Sequence, residues 1–309
     1  MISVIIPHRV EEYLNKTIND LLAKAKGEIE IIVVCDGVKP KPLDDKRIIY
    51  IHQGTVHNAP GMREAINKGM SLASGDYVMK IDEHCMVSEG FDLELIKNCD
   101  NSLVIPRRKR LDAEKWELIN DGRPDVDFMK IDYPFAKPFD PTQGLHGSIW
   151  DRPERKEMID EVMTGQGSCY FMPKKLWDEV IVEMETDKYG PFTMEAQEIT
   201  NKIWLSGYKC LVNKNCWYAH FHKGRKGKNY GFSSKQYEVF MEAKEKGRQY
   251  AVDYWLNTKD YKYDFAWLVD KFWPIPGWPE DWKQRIEQDK LKDFRYSPDF
   301  RTWKADDSG

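Results

Sequence analysis

Short apolar runs alternate with helix-periodic stretches through the first third of the chain. Ile2–Pro7 (ISVIIP) is β-branched, and its apolar positions are continuous rather than alternating, as a strand buried on both faces requires. Residues 10–26 then place Tyr13, Leu14, Ile18, Leu21, Leu22 and Ala25 on one helical face, and Gly27 follows where a helix C-cap favours glycine. Ile29–Cys35 is a second apolar strand, and Asp36-Gly37 follows it as a turn. Strand, helix and strand in this order make a βαβ unit with a parallel pair. The pattern continues with a strand over 47–51, a helix over 60–73, a strand over 77–81, a helix from 91 to 97 and a strand over 103–106.

Periodicity then fades. Residues 107–160 are rich in charge, proline and aromatics, so a loop-rich insertion is expected there. Beyond it, 163–173 is apolar and glycine-containing, 174–180 reads as a short helix, 194–207 as a longer one and 208–212 as a closing strand. His222–Lys228 (HKGRKGK) is basic and glycine-rich, and 233–257 is helical in pattern. The last segment holds six of the eleven tryptophans, and its prolines exclude one continuous helix. The expected organisation is an α/β domain over 1–225, followed by an aromatic-rich, helical and irregular extension over 226–309 that serves as a lid or acceptor region.

Composition narrows the function. The chain has 309 residues, 41% hydrophobic and 32% charged, which suits a folded α/β protein and not a disordered one. No apolar run approaches the roughly 18 residues of a membrane span, and no export signal precedes Ile2. A cytosolic setting is therefore expected, that of a phage-infected host included. A net charge of −4 excludes a globally basic nucleic-acid coat. The six cysteines lack any CxxC pair and read as reduced, buried small hydrophobes.

The chemistry gathers at strand ends. Asp82-x-His84 directly follows the 77–81 strand, and Asp36 ends a strand one βα unit earlier. In open α/β sheets, ligands bind outside the carboxyl ends of the strands. Alone, the pair is read more readily as a turn cap and a packed imidazole than as a ligand pair. Its company changes the weighing: Glu195 and Glu198 share the face of a helix start, and His220 and His222 follow another apolar run. A carboxylate with distant imidazoles makes a mixed oxygen and nitrogen site, suited to Mn²⁺ or Mg²⁺ holding a phosphate, or to Zn²⁺. The 222–228 loop adds the positive charge that a diphosphate would need.

These segments, taken as an ordered set, resemble a GT-A glycosyltransferase of the family 2 type, with motifs similar to polypeptide N-acetylgalactosaminyltransferases. The carriers are SVIIPHR, VVCDG, GMREAINKGMSLASGDYVMKIDEHC, MTGQGSCYFMPKKLWDEV, FTMEAQEITNKIWLSGYK and AHFHK, which cover about half the chain. The resemblance implies a Rossmann-like mixed sheet flanked by helices. It implies a nucleotide-sugar donor, UDP-linked, with Asp36 on the uracil or ribose and Pro7, His8 and Arg9 lining the base pocket. It places a metal at Asp82, His84 and His220, and Arg63 on the sugar or diphosphate. Glu195 and Glu198 match the two acids of the family helix, and Phe192 falls where a sugar-facing tryptophan is common. Lys223 and Arg225 would close on the diphosphate.

Two departures put the donor sugar in question. Thr193 and Met194 stand where the family has two glycines, and Cys35 precedes Asp36 where an aspartate pair is usual. The implied reaction is sugar transfer to a hydroxyl, with Glu195 or Glu198 as base if the enzyme inverts. Retention is preferred, on the Asp-x-His form. Acceptor candidates are a saccharide and a hydroxymethylated DNA base, the latter as in phage-type DNA-modifying glycosyltransferases. Nucleotidyl transfer is disfavoured because IPHRVEEY offers no glycine-rich phosphate loop. The alternative outside enzymes is a non-catalytic module that binds a nucleotide sugar or nucleic acid.

Overall fold

The computed structural model describes residues 1–9, 12–137, 144–190, 194–222 and 234–292. Its core is a mixed sheet with helices on both faces. The strands are β1 (Ile2–His8), β2 (Ile29–Asp36), β3 (Ile48–Gln53), β4 (Tyr77–Ile81), β5 (Cys85–Val87), β6 (Ser102–Asp112), β7 (Glu117–Leu118), β8 (Met129–Ile131), β9 (Gly147–Ile149), β10 (Ile159–Glu161), β11 (Cys169–Pro173) and β12 (Lys209–His220). The helices are α1 (Leu14–Lys24), α2 (Met62–Leu72), α3 (Phe91–Ile96), α4 (Lys174–Leu176), which runs into a π-helical turn, α5 (Glu195–Leu205), α6 (Ser234–Asn257), α7 (Phe265–Phe272) and α8 (Trp282–Lys292).

The main sheet runs β10-β12-β6-β11-β4-β1-β2-β3, with β5 added to β12 and β7 to β6. β3, β2, β1 and β4 are mutually parallel, β11 is antiparallel to β4 and β6, and β6 is parallel to β12. The carboxyl ends of β1, β2, β4, β6 and β12 therefore share one edge. β8 and β9 pair separately as a two-stranded ribbon.

Side-chain alternation explains the two layers. Ile2, Val4 and Ile6 of β1, with Ile31 and Val33 of β2 and Met79 and Ile81 of β4, join α1 and α3 in one apolar cluster. Ile5 and Val78 project to the opposite face and join a second cluster with Ile66 and Met70 of α2 and Ile199 and Ile203 of α5. On β4 that second face is also the face of Lys80, which matters below.

Two expectations need correction. The closing strand does not stop at Val212: β12 continues to His220, past a register shift between Asn213 and Trp217. Residues 107–160 are more regular than loop-rich. β6 extends through the charged run to Asp112, and β7, β8, β9 and β10 lie within the segment. The run stays extended because its cations find acids: Arg107 pairs with Asp127 at 2.7 Å, Lys109 with Asp125 at 3.6 Å and Arg110 with Asp121 at 3.0 Å. Some of the tail tryptophans are core residues, and Trp273 is exposed. Trp255, Trp278 and Trp282 are buried, and they belong to the same cluster as α2 and α5.

All six cysteines are buried and free. Among the described residues, no helix is long and apolar enough to cross a membrane.

Candidate active site

Strand ends position the site. β4 delivers Asp82 and His84 to the carboxyl edge, and β12 ends there with His220. Register brings them together: His220 lies opposite Cys85 in the β12–β5 pair, so the two histidines come from adjacent strands. The imidazole Nε2 atoms stand 3.0 Å apart. Asp82 Oδ2 is 3.3 Å from His220 Nε2 and 3.9 Å from His84 Nε2. The three ligand atoms all lie within 4.8 Å of one another. Two nitrogen lone pairs and one carboxylate oxygen converging on a point is a donor set that a divalent cation fits. Among the described residues, the buried His220 Nδ1 has no hydrogen-bond partner, and its Nε2 faces Asp82 and His84.

The other oxygen of Asp82 is taken by Lys80. Nζ donates to Asp82 Oδ1 at 2.6 Å and to the Gly167 carbonyl, and it pairs with Glu195 Oε1 at 3.3 Å. Lys80 is fully buried. Strand alternation turns it onto the α5 face, where Glu195 opens the helix. Burial alone would lower the lysine, but the two carboxylates outweigh it and hold it protonated. Burial would raise the Asp82 carboxyl; Lys80 and the two imidazoles overcome that and hold it far below the ordinary range. Glu195 is pushed up by burial, against the pull of Lys80. Gly167 packs close beside it: a Cβ there would sit 2.6 Å from Glu195 Oε2 and force that carboxylate to shift.

Glu198, one turn along α5, is engaged elsewhere. It forms a buried ion pair with Arg63 of α2, pairs with Lys202 at 2.9 Å and accepts from the Glu185 amide at 3.1 Å. Arg63 is fully buried, donates to the Glu185 carbonyl at 2.8 Å and lies 4.4 Å from the Tyr189 ring centroid. Arg63 is therefore a core residue and not a helix-surface one. α5 starts from Met194, whose φ of 59° is left-handed, a conformation that glycine reaches without strain. This is one of the two positions where the resembled family carries glycine.

The other expected residues line the same edge. Pro7 and His8 end β1, and His8 Nδ1 is bonded to Glu83 within the β4 turn. Arg9 pairs with Asp36 at 3.1 Å. Asp36 also accepts from Gln53 at 3.0 Å and from the Gly61 amide at 3.1 Å, so its carboxylate is fixed at the end of β2. His222 lies outside the metal set: its ring is 5.0 Å from that of His220, and Nε2 contacts Arg108 at 2.6 Å. Phe192, Lys223 and Arg225 lie outside the described residues.

Sequence reasoning missed Lys80, which holds Asp82, and Glu83, which holds His8. The available signal for Lys80 was a cation inside an otherwise apolar strand (YVMKI), where only paired charges survive burial.

Known proteins share parts of this sequence and its fold. "Glycosyltransferase GlyA" of Streptococcus pneumoniae serotype 4 is 34% identical over 105 residues, which are 31% of this chain and 14% of that protein. "Glycosyltransferase GlyG" of the same organism is 31% identical over 98 residues, 29% of this chain and 32% of that protein. The match thus spans less than a third of either relative. A solved structure of GalNAc-T7 with UDP, GalNAc and Mn²⁺ superposes with a TM-score of 0.58 at 16% identity, covering 79% of this chain and 48% of that one. That likeness shows the fold, which is of the GT-A type. Residues 3–163, just over half the chain and the part that carries Asp36, Asp82 and His84, match the family described as Glycosyl transferase family 2, and the chain belongs to that family.

Proposed function

We propose that the chain transfers a sugar from a UDP-linked donor to a hydroxyl acceptor, using a divalent cation held by Asp82, His84 and His220. The observation that carries this reading is the convergence of those three ligand atoms within 4.8 Å on the edge where Asp36 also stands. The solved GalNAc-T7 was obtained with UDP and Mn²⁺, which supports the donor and metal class. Bound there, Mn²⁺ or Mg²⁺ would supply Lewis-acid stabilisation of the charge that grows on the departing diphosphate.

The chain's own residues do the rest. Asp36, held by Arg9, Gln53 and the Gly61 amide, takes the ribose or uracil. Pro7, His8 and Arg9 form the wall beside it. Lys80 divides the Asp82 carboxylate, holding one oxygen so that the other faces the imidazoles. The Arg63–Glu198 pair anchors the start of α5 and so fixes Glu195; both residues act by positioning rather than by touching substrate.

Both acids of α5 are engaged by cations, which suits a retaining reaction better than an inverting one. An inverting base must receive the acceptor proton directly, whereas in retention the diphosphate oxygen assists the acceptor. The burial of Trp255, Trp278 and Trp282 removes them as a platform for either acceptor. The net charge of −4 favours a saccharide acceptor over modified DNA.

The test is release of nucleoside diphosphate from a panel of UDP-sugars with Mn²⁺, with and without EDTA, for wild type and Asp82→Ala. Metal-dependent release that Asp82→Ala abolishes is the expected result. Binding of a nucleotide sugar without turnover, on every acceptor offered, would instead establish a non-catalytic module.

A further inference from the structure

The turn between β4 and β5 carries Asp82 and His84, and Glu83 stands between them. Its two ends are pinned through the backbone. The Asp82 amide donates to the Ser168 carbonyl at 3.0 Å, and the Cys85 amide donates to Thr17 Oγ1 of α1 at 3.0 Å. The middle is tied in a third direction. β1 and β4 are parallel neighbours, so their carboxyl ends lie side by side, and His8 Nδ1 at the end of β1 donates to Glu83 Oε2. Both partners are withdrawn from water, His8 at 5% and Glu83 at 8% exposed. Burying a carboxylate is costly unless a partner is fixed for it. Burial, and next the Glu83 carboxylate, push the Cys35 thiol up to about 11, so the same carboxylate also stands near the end of β2.

These contacts join the two halves of the site. Asp36 of β2 pairs with Arg9 at 3.1 Å, Arg9 follows His8 in the chain, and His8 holds Glu83. Glu83 is in turn the covalent neighbour of both Asp82 and His84. The wall assigned to the nucleoside and the ligands assigned to the cation are thus connected through protein, with no diphosphate in the path. In a close-packed interior the His8 ring cannot shift toward a base unless Glu83 follows it or the bond breaks. Ordering one end therefore lowers the cost of ordering the other.

We propose that Glu83 is a positioning residue that couples the nucleoside wall to the metal ligands, so that a base seated against His8 sets Asp82 and His84 in ligating geometry. The proposal rests on the nucleotide-sugar reading above and adds to it a coupling carried by the protein rather than by the diphosphate. Coupling between two sites is reciprocal, so the cation tightens nucleoside binding by the same factor.

Uridine is the probe, because it carries the base and the ribose but no phosphate to reach the cation. Mn²⁺ affinity is measured by electron paramagnetic resonance with and without saturating uridine, and uridine affinity by calorimetry with and without Mn²⁺. In wild type each ligand should tighten the other by at least about threefold. In Glu83→Ala that factor should fall to about one, while each ligand alone still binds. Glu83→Ser, polar but too short to reach the imidazole, stands in if the alanine variant does not fold. Wild type whose Mn²⁺ affinity is unchanged by uridine would overturn the inference without any variant. So would a Glu83 variant that keeps the wild-type factor. Wild type that binds neither Mn²⁺ nor UDP would be a different result, because it removes the nucleotide-sugar reading on which the coupling depends.

Discussion

Lys80 decides how Asp82 presents itself. With Oδ1 bonded to a buried ammonium, only Oδ2 is left to face His84 and His220. Replacing Lys80 with methionine leaves two carboxylates, Asp82 and Glu195, crowded on one apolar face. Breaking a buried pair in this way costs about 3–5 kcal/mol, and urea unfolding at neutral pH should show a loss of that size. A loss under about 1 kcal/mol would mean the pair is solvated and does not hold the site. The same contact fixes an acid response. The Asp82 carboxyl is held below its ordinary value in the folded state, so its contribution to stability is complete above about pH 4 and drains away as pH falls further. Asp82→Asn should therefore flatten the acid limb of a stability-versus-pH curve measured on metal-free protein.

Helices α5 and α6 show how elements are held in register with the site. α5 is fixed by the Arg63–Glu198 pair, whose members are 0% and 1% exposed. Arg63→Met leaves Glu198 paired only with Lys202 among the described residues, and Glu198→Gln takes the carboxylate from both Arg63 and Lys202. The double replacement removes both members of the Arg63–Glu198 pair, so a double-mutant cycle should return a coupling of at least about 1 kcal/mol. Additive effects would show that the two act separately. α6 lies against the segment around Tyr189 through Gly247. A Cβ at 247 would stand 2.3 Å from the Tyr189 carbonyl oxygen. Helix propensity favours alanine over glycine by about 1 kcal/mol, whereas overpacking costs about 1–3 kcal/mol. Gly247→Ala should therefore destabilise; a rise in melting temperature would show that α6 is not docked there.

Elements also mark what was legible in the sequence. β1, β2 and β4 declare themselves because they are apolar on both faces. The far end of β12 is concealed by Asn213, Lys214 and Asn215, which sit at a register shift and break the apolar run that carries His220 to the edge. The Asp82, His84 and His220 set could be read from order and residue type. The role of Lys80 could not, because Glu195 and the Gly167 carbonyl, which join Asp82 around its ammonium, lie far away in the chain.

At the scale of the whole molecule, the C-terminal helices share the core of the sheet. Trp255 Nε1 donates to the Tyr189 hydroxyl at 2.7 Å, Trp278 Nε1 to the Ile131 carbonyl at 2.7 Å and Tyr133 to Asp289 at 2.8 Å. Trp204 of α5 meets the Phe272 ring edge-on at 5.5 Å. A chain ending at residue 225 would expose this face, so it should bind a hydrophobic dye and lose its cooperative melt. A cooperative melt like that of the full chain would mean the extension is an independent unit. The central claim concerns the edge that all these layers support, and its most direct measurement is Mn²⁺ binding followed by electron paramagnetic resonance, with UDP present. The account predicts a single tight site in wild type that His220→Ala and Asp82→Ala each weaken at least tenfold. No Mn²⁺ bound by wild type, or binding that both variants retain, would contradict it.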